Sequence, residues 1–481
     1  MHLAVTLRTL GQLLTLFSLT MLVPLLISWF NQDGASNAFI WAFGITALSG
    51  VSMWMTFARV GNTMSVRDGM LLTVLFWITL SLFGAIPFYV ADNLLSIHDA
   101  VFESFSGFTT TGATVIDHIE SLPVSIKFYR QMLQWLGGMG IVVLAVAILP
   151  MLGVNSVLLY RTETPGPNKD ARIAPRIAHT ARILWLIYLG FTIACALAYW
   201  LAGMTPFDAI GHSFTTVAIG GFSTHDASFA YFDSLAIELI CMGFMLLSAI
   251  NYSLHFTVWN GRNLKNYWRD VEVRFLVLAL AVIIGLTTLV LALKLEIGWL
   301  TALRAAAFNV ISTTTTTGFA TEPFAQWPLA LPTLLVAASC IGGCAGSTCG
   351  GIKAIRMLLL TKLTSRELKR LLHPNGVFTI RLQGNQVNPR LIEGVWGFFV
   401  AYALLFGLIL LALEMTGLDT RTAWSATMAT LNNLGPGLGG VAANYLHLPD
   451  AAKWVLCLAM LFGRLEIFTL LVFVSPLMWR G

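Results

Sequence analysis

The chain has 481 residues, of which 57% are hydrophobic and only 11% are Asp, Glu, Lys or Arg. Because an ordinary soluble domain has about 25% charged residues, and because the mean hydropathy is +0.77, the composition excludes a water-soluble fold. The formal net charge of +5 comes from basic residues between apolar runs, which is typical of cytoplasmic loops and not of a nucleic-acid-binding surface. The apolar runs are continuous, which favours membrane-spanning helices over the alternating strands of a β-barrel.

Ten apolar runs are close to the length of about 20 residues that a helix needs to cross a bilayer. They predict transmembrane helices near residues 10–30, 37–57, 70–90, 128–155, 181–202, 233–258, 273–294, 328–361, 392–415 and 452–478. An even number of spans places both termini on one side of the membrane. Most of the 28 Lys and Arg residues lie in the loops on that side, so the positive-inside rule predicts that both termini are cytoplasmic.

Four connections on the opposite side are long and partly apolar, and we expect each of them to re-enter the membrane. Each begins with a helix N-terminal signal, at Asp99, at Thr205 and Pro206, at Thr301 and at Asp419. Each then continues into a segment rich in Thr, Asn or Gly, namely FTTTGATV at 108–115, TVAIGGFST at 216–224, TTTTTGFAT at 313–321 and LNNLGPGLGG at 431–440. These patterns predict four short helices that each end in a non-helical loop.

One glycine of each loop can be aligned with the others, namely Gly112, Gly220, Gly318 and Gly435, and successive members are about 100 residues apart. Such a spacing indicates an internal repeat. We therefore predict an all-α integral membrane protein with ten spanning helices, in which four repeats of helix, pore loop and helix surround one pseudo-fourfold pore. The predicted units are residues 1–66, which form two N-terminal transmembrane helices, and repeats 1 to 4 at residues 67–160, 161–262, 263–374 and 375–481.

Non-helical backbone at membrane depth must be buried in protein or line an aqueous cavity. Four such loops around one axis would offer backbone carbonyls to a dehydrated monovalent cation, and glycine permits the dihedral angles that this requires. The loops contain no ring of acidic side chains, which disfavours a filter for divalent cations. The predicted filter residues are Thr110, Thr111, Gly112, Ala218, Ile219, Gly220, Thr316, Thr317, Gly318, Asn433, Leu434 and Gly435.

The predicted eighth span contains five glycines between positions 342 and 351, each of which disfavours a helix by about 1 kcal/mol relative to alanine. We expect a loop at mid-membrane that closes the path below the filter, with close helix packing through small residues as the alternative. Ser347 and Thr348 are expected to cap the broken helix ends. Arg464 lies deep in the last span, where a charge is costly, and we expect it to bind carbonyls of this loop. The predicted gating residues are Gly343, Gly346, Ser347, Thr348, Gly350, Lys353 and Arg464.

The four loops, together with the segment GGCAGSTCGGIKAIR at 342–356, resemble the TrkH/KtrB/HKT superfamily of cation transporters and most closely its TrkH type. The resemblance implies uptake of potassium, as the only metal ion, across the bacterial cytoplasmic (inner) membrane. It also implies a homodimer with one pore per subunit, surrounded by membrane lipid, and a cytosolic TrkA-type ring that gates the pore. A nucleotide, NAD or ATP/ADP, is expected on that partner and no cofactor on this chain. Sodium-selective plant relatives have a serine at the first filter position, where this chain has Gly112.

Three other interpretations differ in mechanism. An ion-coupled potassium symporter driven by protons or sodium, or a less selective monovalent-cation transporter, remains open because a filter determines which ion passes and not what drives it. A secondary transporter with broken helices would have two related halves instead of four units. A membrane enzyme is disfavoured because no titratable groups gather into one catalytic pocket. Glu103, His212 and Asn309, on the short helices, are expected to tie these helices to their neighbours by hydrogen bonds.

Overall fold

A computed structural model describes residues 2–59, 65–91, 94–147, 173–382 and 385–476 of the chain. The described residues are mainly α-helical, as the sequence predicts. Their α-helices are α1 Leu3–Thr20, α2 Leu22–Asn31, α3 Ser36–Thr56, α4 Val66–Gly84, α5 Ile86–Val90, α6 Ile97–Phe108, α7 Val124–Ala147, α8 Ile173–Leu201, α9 Pro206–Ala218, α10 Leu235–Ala249, α11 Tyr252–Gly261, α12 Lys265–Arg269, α13 Val271–Lys294, α14 Trp299–Thr314, α15 Leu331–Ala338, α16 Ala354–Leu372, α17 Pro389–Met415, α18 Thr420–Leu431, α19 Asp450–Arg464 and α20 Phe468–Val474. Two short antiparallel strands, β1 Arg381–Leu382 and β2 Asn385–Gln386, pair between α16 and α17.

Among the described residues, six segments are long and apolar enough to cross a membrane, namely Leu3–Asn31, Ser36–Thr56, Arg67–Val90, Ala181–Leu201, Val271–Lys294 and Pro389–Met415. Two bent pairs raise the number to eight if each pair is one span: α10 with α11, bent by 96°, and α19 with α20, bent by 117°. The two remaining predicted spans are 128–155, whose second half lies largely outside the described residues, and 328–361, which is interrupted between α15 and α16. The count of ten spans stays a prediction.

The four predicted short helices are present as α6, α9, α14 and α18. Thr205 and Asp419 are the N-caps of α9 and α18, as predicted, and their side chains accept hydrogen bonds from the amides of residues 208 and 422. The other two helices begin earlier than predicted, because Ser96 and Gly298 are the N-caps of α6 and α14. The predicted cap Asp99 instead lies in the first turn of α6, where a negative charge is favourable.

The helices divide into an exposed set and a buried set. The outer helix α17 exposes Leu404, Leu408 and Leu411 on one face, and an apolar stripe on a helix of this length is suited to lipid. By contrast, most residues of the short helices α6, α9, α14 and α18 are buried. The spanning helices therefore enclose the four short helices, and the loops that follow them are held inside the protein.

Helices α1 and α3, which precede the first predicted repeat, pack through two glycines. A Cβ atom added to Gly11 would lie 2.7 Å from the Trp54 amide nitrogen, and one added to Gly50 would lie 2.7 Å from the Thr15 amide nitrogen. The Thr15 hydroxyl donates a hydrogen bond to the Gly11 carbonyl at 2.8 Å. Small residues allow two helix backbones to approach closely inside a membrane, so this contact fixes α1 against α3.

We predict that Gly50→Val destabilises the protein, because the new side chain would overlap the backbone of α1. Overpacking of this kind typically costs about 1–3 kcal/mol. Gly44→Val is the matched control, since Gly44 lies on the same helix and a Cβ there meets no atom within 4 Å. In a thermal unfolding series in detergent, Gly50→Val should lower the midpoint and Gly44→Val should leave it almost unchanged. Equal midpoints for the two variants would contradict the close packing of α1 and α3.

Candidate cation pore

Each short helix ends in a loop with the same backbone conformation. A residue in the left-handed region comes first, and two residues later there is a glycine with positive φ. The first residues are Thr110 (52°), Ile219 (56°), Thr316 (65°) and Asn433 (54°), and the glycines are Gly112 (83°), Gly221 (83°), Gly318 (87°) and Gly435 (92°). The amide of the middle residue donates to the carbonyl five residues earlier in all four loops: Thr111 to Ser106 at 2.9 Å, Gly220 to Thr215 at 2.8 Å, Thr317 to Ser312 at 2.8 Å and Leu434 to Ala429 at 2.7 Å. The four loops are structural equivalents.

The register that the sequence predicts for the second loop is wrong by one residue. The alignment places Gly220 beside Gly112, whereas the structure gives the positive φ of 83° to Gly221 and makes Gly220 the middle residue. The second loop triplet is therefore Ile219, Gly220 and Gly221, and the predicted member Ala218 is the last residue of α9. Two consecutive glycines allow either register. The hydrogen bond from the Gly220 amide to Thr215, together with the left-handed conformation of Ile219, selects the observed one.

The four loops contact one another in a closed ring. A Cβ atom added to Gly112 would lie 2.2 Å from the Gly220 carbonyl oxygen, and one added to Gly221 would lie 2.1 Å from the Thr317 carbonyl oxygen. A Cβ atom added to Gly318 would lie 2.3 Å from the Leu434 carbonyl oxygen, and one added to Gly435 would lie 2.6 Å from the Thr111 carbonyl oxygen. Each glycine thus faces the middle residue of the next loop, and the fourth loop returns to the first. Loops in this arrangement surround a common axis.

Carbonyl groups inside this ring lack protein partners. The oxygens of Thr110, Ile219, Thr316 and Asn433 accept no hydrogen bond from any residue that the structure describes, although all four residues are buried. The hydroxyl of Thr110 is also buried without a partner in the described part of the chain. Buried carbonyls are rarely left unsatisfied in proteins. Carbonyl and hydroxyl oxygens of this kind are suitable ligands for a monovalent cation.

Polar side chains on three of the short helices hold the segments that follow the loops. The predicted tie to a neighbouring helix is confirmed for Glu103, through Arg130 of α7, whereas His212 and Asn309 bond within their own helix and loop. Glu103 accepts a hydrogen bond from the Val115 amide at 3.0 Å and forms a buried ion pair with Arg130 at 2.8 Å. His212 pairs with the Ser223 hydroxyl at 3.0 Å. The side-chain amide of Asn309 donates to the Thr321 hydroxyl at 3.1 Å. The bonds of Glu103, His212 and Asn309 thus fix the segment after each loop to the short helix that precedes it.

Helix α7 supplies two supporting residues that the sequence analysis missed, Arg130 and Gln134. Arg130 lies over the ring of Phe222, with its guanidinium carbon 4.3 Å from the ring centroid, and also donates to the Ser223 carbonyl at 3.3 Å. Gln134 donates to the Gly220 carbonyl at 2.6 Å and accepts from the Phe222 amide at 3.0 Å. The two side chains are four residues apart on one helix and therefore share a face. Two polar residues four positions apart in an otherwise apolar span were therefore the sequence feature that could have indicated these supporting residues.

Two acidic residues join the outer segments of the first and second loops. The Asp226 amide donates to the Glu120 carboxylate at 2.9 Å, and the Ile119 amide donates to the Asp226 carboxylate at 3.0 Å. The hydrogen bond with the Asp226 side chain lowers the pKa of Glu120 to about 2, while burial raises the pKa of Asp226. Glu120 therefore keeps a negative charge beside the segments that follow the first and second loops.

The predicted interruption of the eighth span is present as a non-helical segment, residues 339–353, between α15 and α16, and we call this segment the intramembrane loop after the position that the sequence predicts for it. Its Gly350 amide donates to the Thr316 hydroxyl at 2.8 Å, and its Gly351 amide donates to the Asn432 carbonyl at 3.0 Å. The Thr348 hydroxyl donates to the Val217 carbonyl, at the end of α9, at 3.1 Å. The intramembrane loop therefore contacts the second, third and fourth pore loops on their helix side.

The predicted capping role of Ser347 and Thr348 is wrong. Ser347 donates to the Cys344 carbonyl within the intramembrane loop itself, and Thr348 reaches α9. The N-cap of α16 is Lys353, whose side chain makes no capping bond. Ser339 is the C-cap of α15, and the positive-φ glycines Gly342 and Gly351 lie within the loop. Side-chain caps are not needed because the backbone of the loop is bonded to its neighbours.

The predicted contact of Arg464 with this loop is confirmed. Its Nη1 atom donates to the Thr348 carbonyl at 3.2 Å, while its Nε and Nη2 atoms are buried without a partner in the described residues. The ammonium group of Lys353 donates to the Cys349 carbonyl. Gly343 and Gly346 lie on the other side of the loop, where a Cβ would approach Ala249 and Asn251 at the bend between α10 and α11. Two cationic groups thus hold the loop beneath the ring.

Comparison with known proteins gives full-length similarities. A profile of the TrkH family, described as cation transport protein, matches residues 35–480. The Trk system potassium uptake protein TrkH of Halomonas elongata is 54% identical over 481 residues, covering all of both chains. The protein of the same name from Escherichia coli K12 is 52% identical over 482 aligned residues, again covering all of both chains.

The solved crystal structure of the potassium transporter TrkH from Vibrio parahaemolyticus matches the fold with a TM-score of 0.93 and 51% sequence identity, covering 100% of both chains. These relatives are named as transport proteins and not as enzymes, which agrees with the expectation from the sequence. The apolar helices and this similarity make the chain a multi-pass membrane protein. The chain belongs to the TrkH family of cation transport proteins.

Proposed function

We propose that the chain takes up potassium across the bacterial cytoplasmic membrane through a channel-like pore whose selectivity filter is the ring of four loops. The closed set of glycine-to-carbonyl contacts carries this proposal, because it brings four equivalent loops to one axis. The names of the relatives, potassium uptake proteins of Trk systems, support potassium as the ion. Both termini are then on the cytoplasmic side, and the four loops open to the outside.

The filter uses backbone oxygens in place of the water around the ion. In each triplet, the left-handed first residue and the positive-φ glycine turn successive carbonyls toward the axis. The triplets are Thr110 to Gly112, Ile219 to Gly221, Thr316 to Gly318 and Asn433 to Gly435. Carbonyl oxygens replace the hydration shell of a potassium ion at little cost. The short helices direct their carboxyl-terminal dipole ends at the same place, where partial negative charge favours a cation.

The gate is the intramembrane loop together with Arg464. Gly350 and Gly351 of this loop bond to the third and fourth pore loops, so the loop lies across the inner end of the filter. The Arg464 guanidinium retains two nitrogen atoms without partners among the described residues. A positive charge at this position opposes a cation leaving the filter. Opening requires the loop and its attached cationic groups to move aside.

Regulation is supplied by other subunits. We propose a homodimer with one pore per chain and a cytosolic TrkA-type ring that carries the nucleotide and acts on the gate. The Trk system names of the relatives support partner subunits. Helix α16, which follows the intramembrane loop, is basic in its last turn through Lys369 and Arg370, and it is a suitable contact for that ring. The same proposal divides the chain into four repeats, one for each pore loop.

We predict that Gly112→Ser reduces the selectivity for potassium over sodium. A Cβ at this position would overlap the Gly220 carbonyl oxygen at 2.2 Å and would displace the neighbouring loop. The potassium-to-sodium flux ratio should fall about tenfold, which corresponds to a loss of about 1.4 kcal/mol of discrimination between the two ions. The measurement is flux of each ion, in separate experiments, into liposomes that contain the purified chain. The potassium experiment has no proton or sodium gradient, so it also separates passive from coupled transport.

Gly417→Ser is the matched control. Gly417 also has a positive φ, of 93°, but a Cβ there meets no atom within 4 Å. It therefore introduces the same backbone strain without touching the ring, and its flux ratio should equal that of the native chain. If no monovalent cation enters through the native chain, even with the partner ring added, the proposed function is wrong. Native selectivity in the Gly112→Ser variant would show that the ion path does not run through these loops.

We predict that Arg464→Ala increases potassium leak in the absence of the partner ring, because it removes the cation that holds the Thr348 carbonyl. An increase on the order of tenfold would correspond to a barrier lowered by about 1.4 kcal/mol. Arg421→Ala removes an exposed arginine in the first turn of α18 and should leave leak at the native level. Unchanged flux through Arg464→Ala in liposomes would show that this residue is no part of the gate.

A further inference from the structure

A cavity at the side of the helix bundle lies apart from the pore. Its volume is about 390 Å³, and its walls include Ile187 and Phe191 of α8, His255 and Val258 of α11, and Tyr267 of α12. Arg262, which directly follows α11, also lines it. The cavity is therefore apolar along its length and cationic at one end. We propose that it binds one anionic phospholipid, with an acyl chain between α8 and α11 and the phosphate at Arg262.

Hydrogen bonds hold the walls of the cavity in place. The Nδ1 atom of His255 pairs with the Tyr267 hydroxyl at 2.7 Å, and its Nε2 atom pairs with the Leu247 carbonyl at 2.9 Å. His255 is buried and packs edge-on against Phe191, with the ring centroids 5.0 Å apart. Since one side chain joins α8, α10, α11 and α12, the cavity exists before a ligand arrives, which lowers the entropic cost of binding.

The rim has the side chains of a membrane interface. Trp259, Leu264 and Trp268 are 81%, 74% and 65% exposed, which is costly in water. Tryptophan is enriched at the level of the lipid headgroups, where its ring meets both apolar chains and polar groups. The rim therefore contacts a membrane surface and not bulk water, and a lipid headgroup is within reach of the cavity.

The charge of the rim specifies the headgroup. Arg262, Lys265 and Arg269 are exposed and form no ion pair with the residues that the structure describes. Under the proposed orientation this segment is cytoplasmic, and there the leaflet carries anionic lipids that attract basic residues. A zwitterionic lipid brings its own cation to the phosphate, whereas an anionic lipid leaves the phosphate free for Arg262. Charge complementarity thus selects an anionic phospholipid over a neutral one.

The site is connected to the intramembrane loop through the bend that precedes α11. The Tyr252 amide donates to the Gly346 carbonyl at 3.2 Å, and the Cys344 amide donates to the Ala249 carbonyl at 2.8 Å. A lipid that fixes α11 against α8 also fixes these two bonds. The lipid therefore acts on the position of the gate, a consequence that rests on the proposed function.

Binding is tested on the full-length purified chain by native mass spectrometry, with phosphatidylglycerol and phosphatidylcholine as probes. We expect phosphatidylglycerol to bind more tightly. Arg262→Gln should weaken it about fivefold, since one basic residue near a membrane surface contributes about 1 kcal/mol. Val258→Trp, which fills the cavity, should weaken it without any change of charge. Arg421→Gln, an exposed arginine outside the cavity, should bind as the native chain does.

Equal binding of the two lipids would contradict the proposed phospholipid site. Equal weakening of phosphatidylglycerol binding by Arg262→Gln and Arg421→Gln would contradict it as well. Loss of partner-ring binding in Arg262→Gln, with lipid binding unchanged, would instead identify the cavity as a protein contact and would also overturn it. The lipid readout needs no transport, so it separates failure of this site from failure of the proposed function. In liposomes, adding equimolar phosphatidylglycerol to phosphatidylcholine should change potassium flux through the native chain and not through Arg262→Gln.

Discussion

The structure depends on one repeated contact, in which the bare Cα of a loop glycine faces the middle carbonyl of the next loop. Four such contacts close the ring, from Gly112 to Gly220, Gly221 to Thr317, Gly318 to Leu434 and Gly435 to Thr111. Each glycine also needs a positive φ, which is costly for a residue with a Cβ. Two independent requirements, space and dihedral angle, therefore coincide at the same four positions. The short helices and the enclosing spans bring these backbones together.

Buried polar groups stabilise the ring from outside. The ion pair between Glu103 and Arg130 is fully buried, so its two charges were taken out of water at a large cost that their hydrogen bonds offset. Glu103 also bonds to the first loop, and Arg130 to the second. This ion pair therefore connects the first loop to its neighbour, the second loop. Gln134 adds another hydrogen bond to the second loop, at the Gly220 carbonyl. Beneath the ring, Gly350 and Arg464 connect the intramembrane loop to the same assembly.

Much of this could be predicted from the sequence, and the exceptions have physical causes. Apolar length, N-cap chemistry and glycine content act locally, which is why the short helices and the break near Gly350 were predicted. The register of the second loop was not, because Gly220 and Gly221 are chemically alike and only the folded backbone, with Ile219 left-handed and the Gly220 amide bonded to Thr215, distinguishes them. Arg130 and Gln134 were not singled out within the predicted span 128–155, since their partners Ser223 and Gly220 lie about 90 residues away along the chain. Long-range partners leave little local signal.

The central claim, that a monovalent cation binds inside the ring, is tested most directly by anomalous diffraction from crystals soaked in thallium(I), which resembles potassium in size and charge. The account predicts an anomalous peak surrounded by the four loops, within coordination distance of carbonyl oxygens of Thr110, Ile219, Thr316 and Asn433. Gly112→Ser crystals should lose or displace that peak. Ordered thallium found only outside the ring in native crystals would contradict the account.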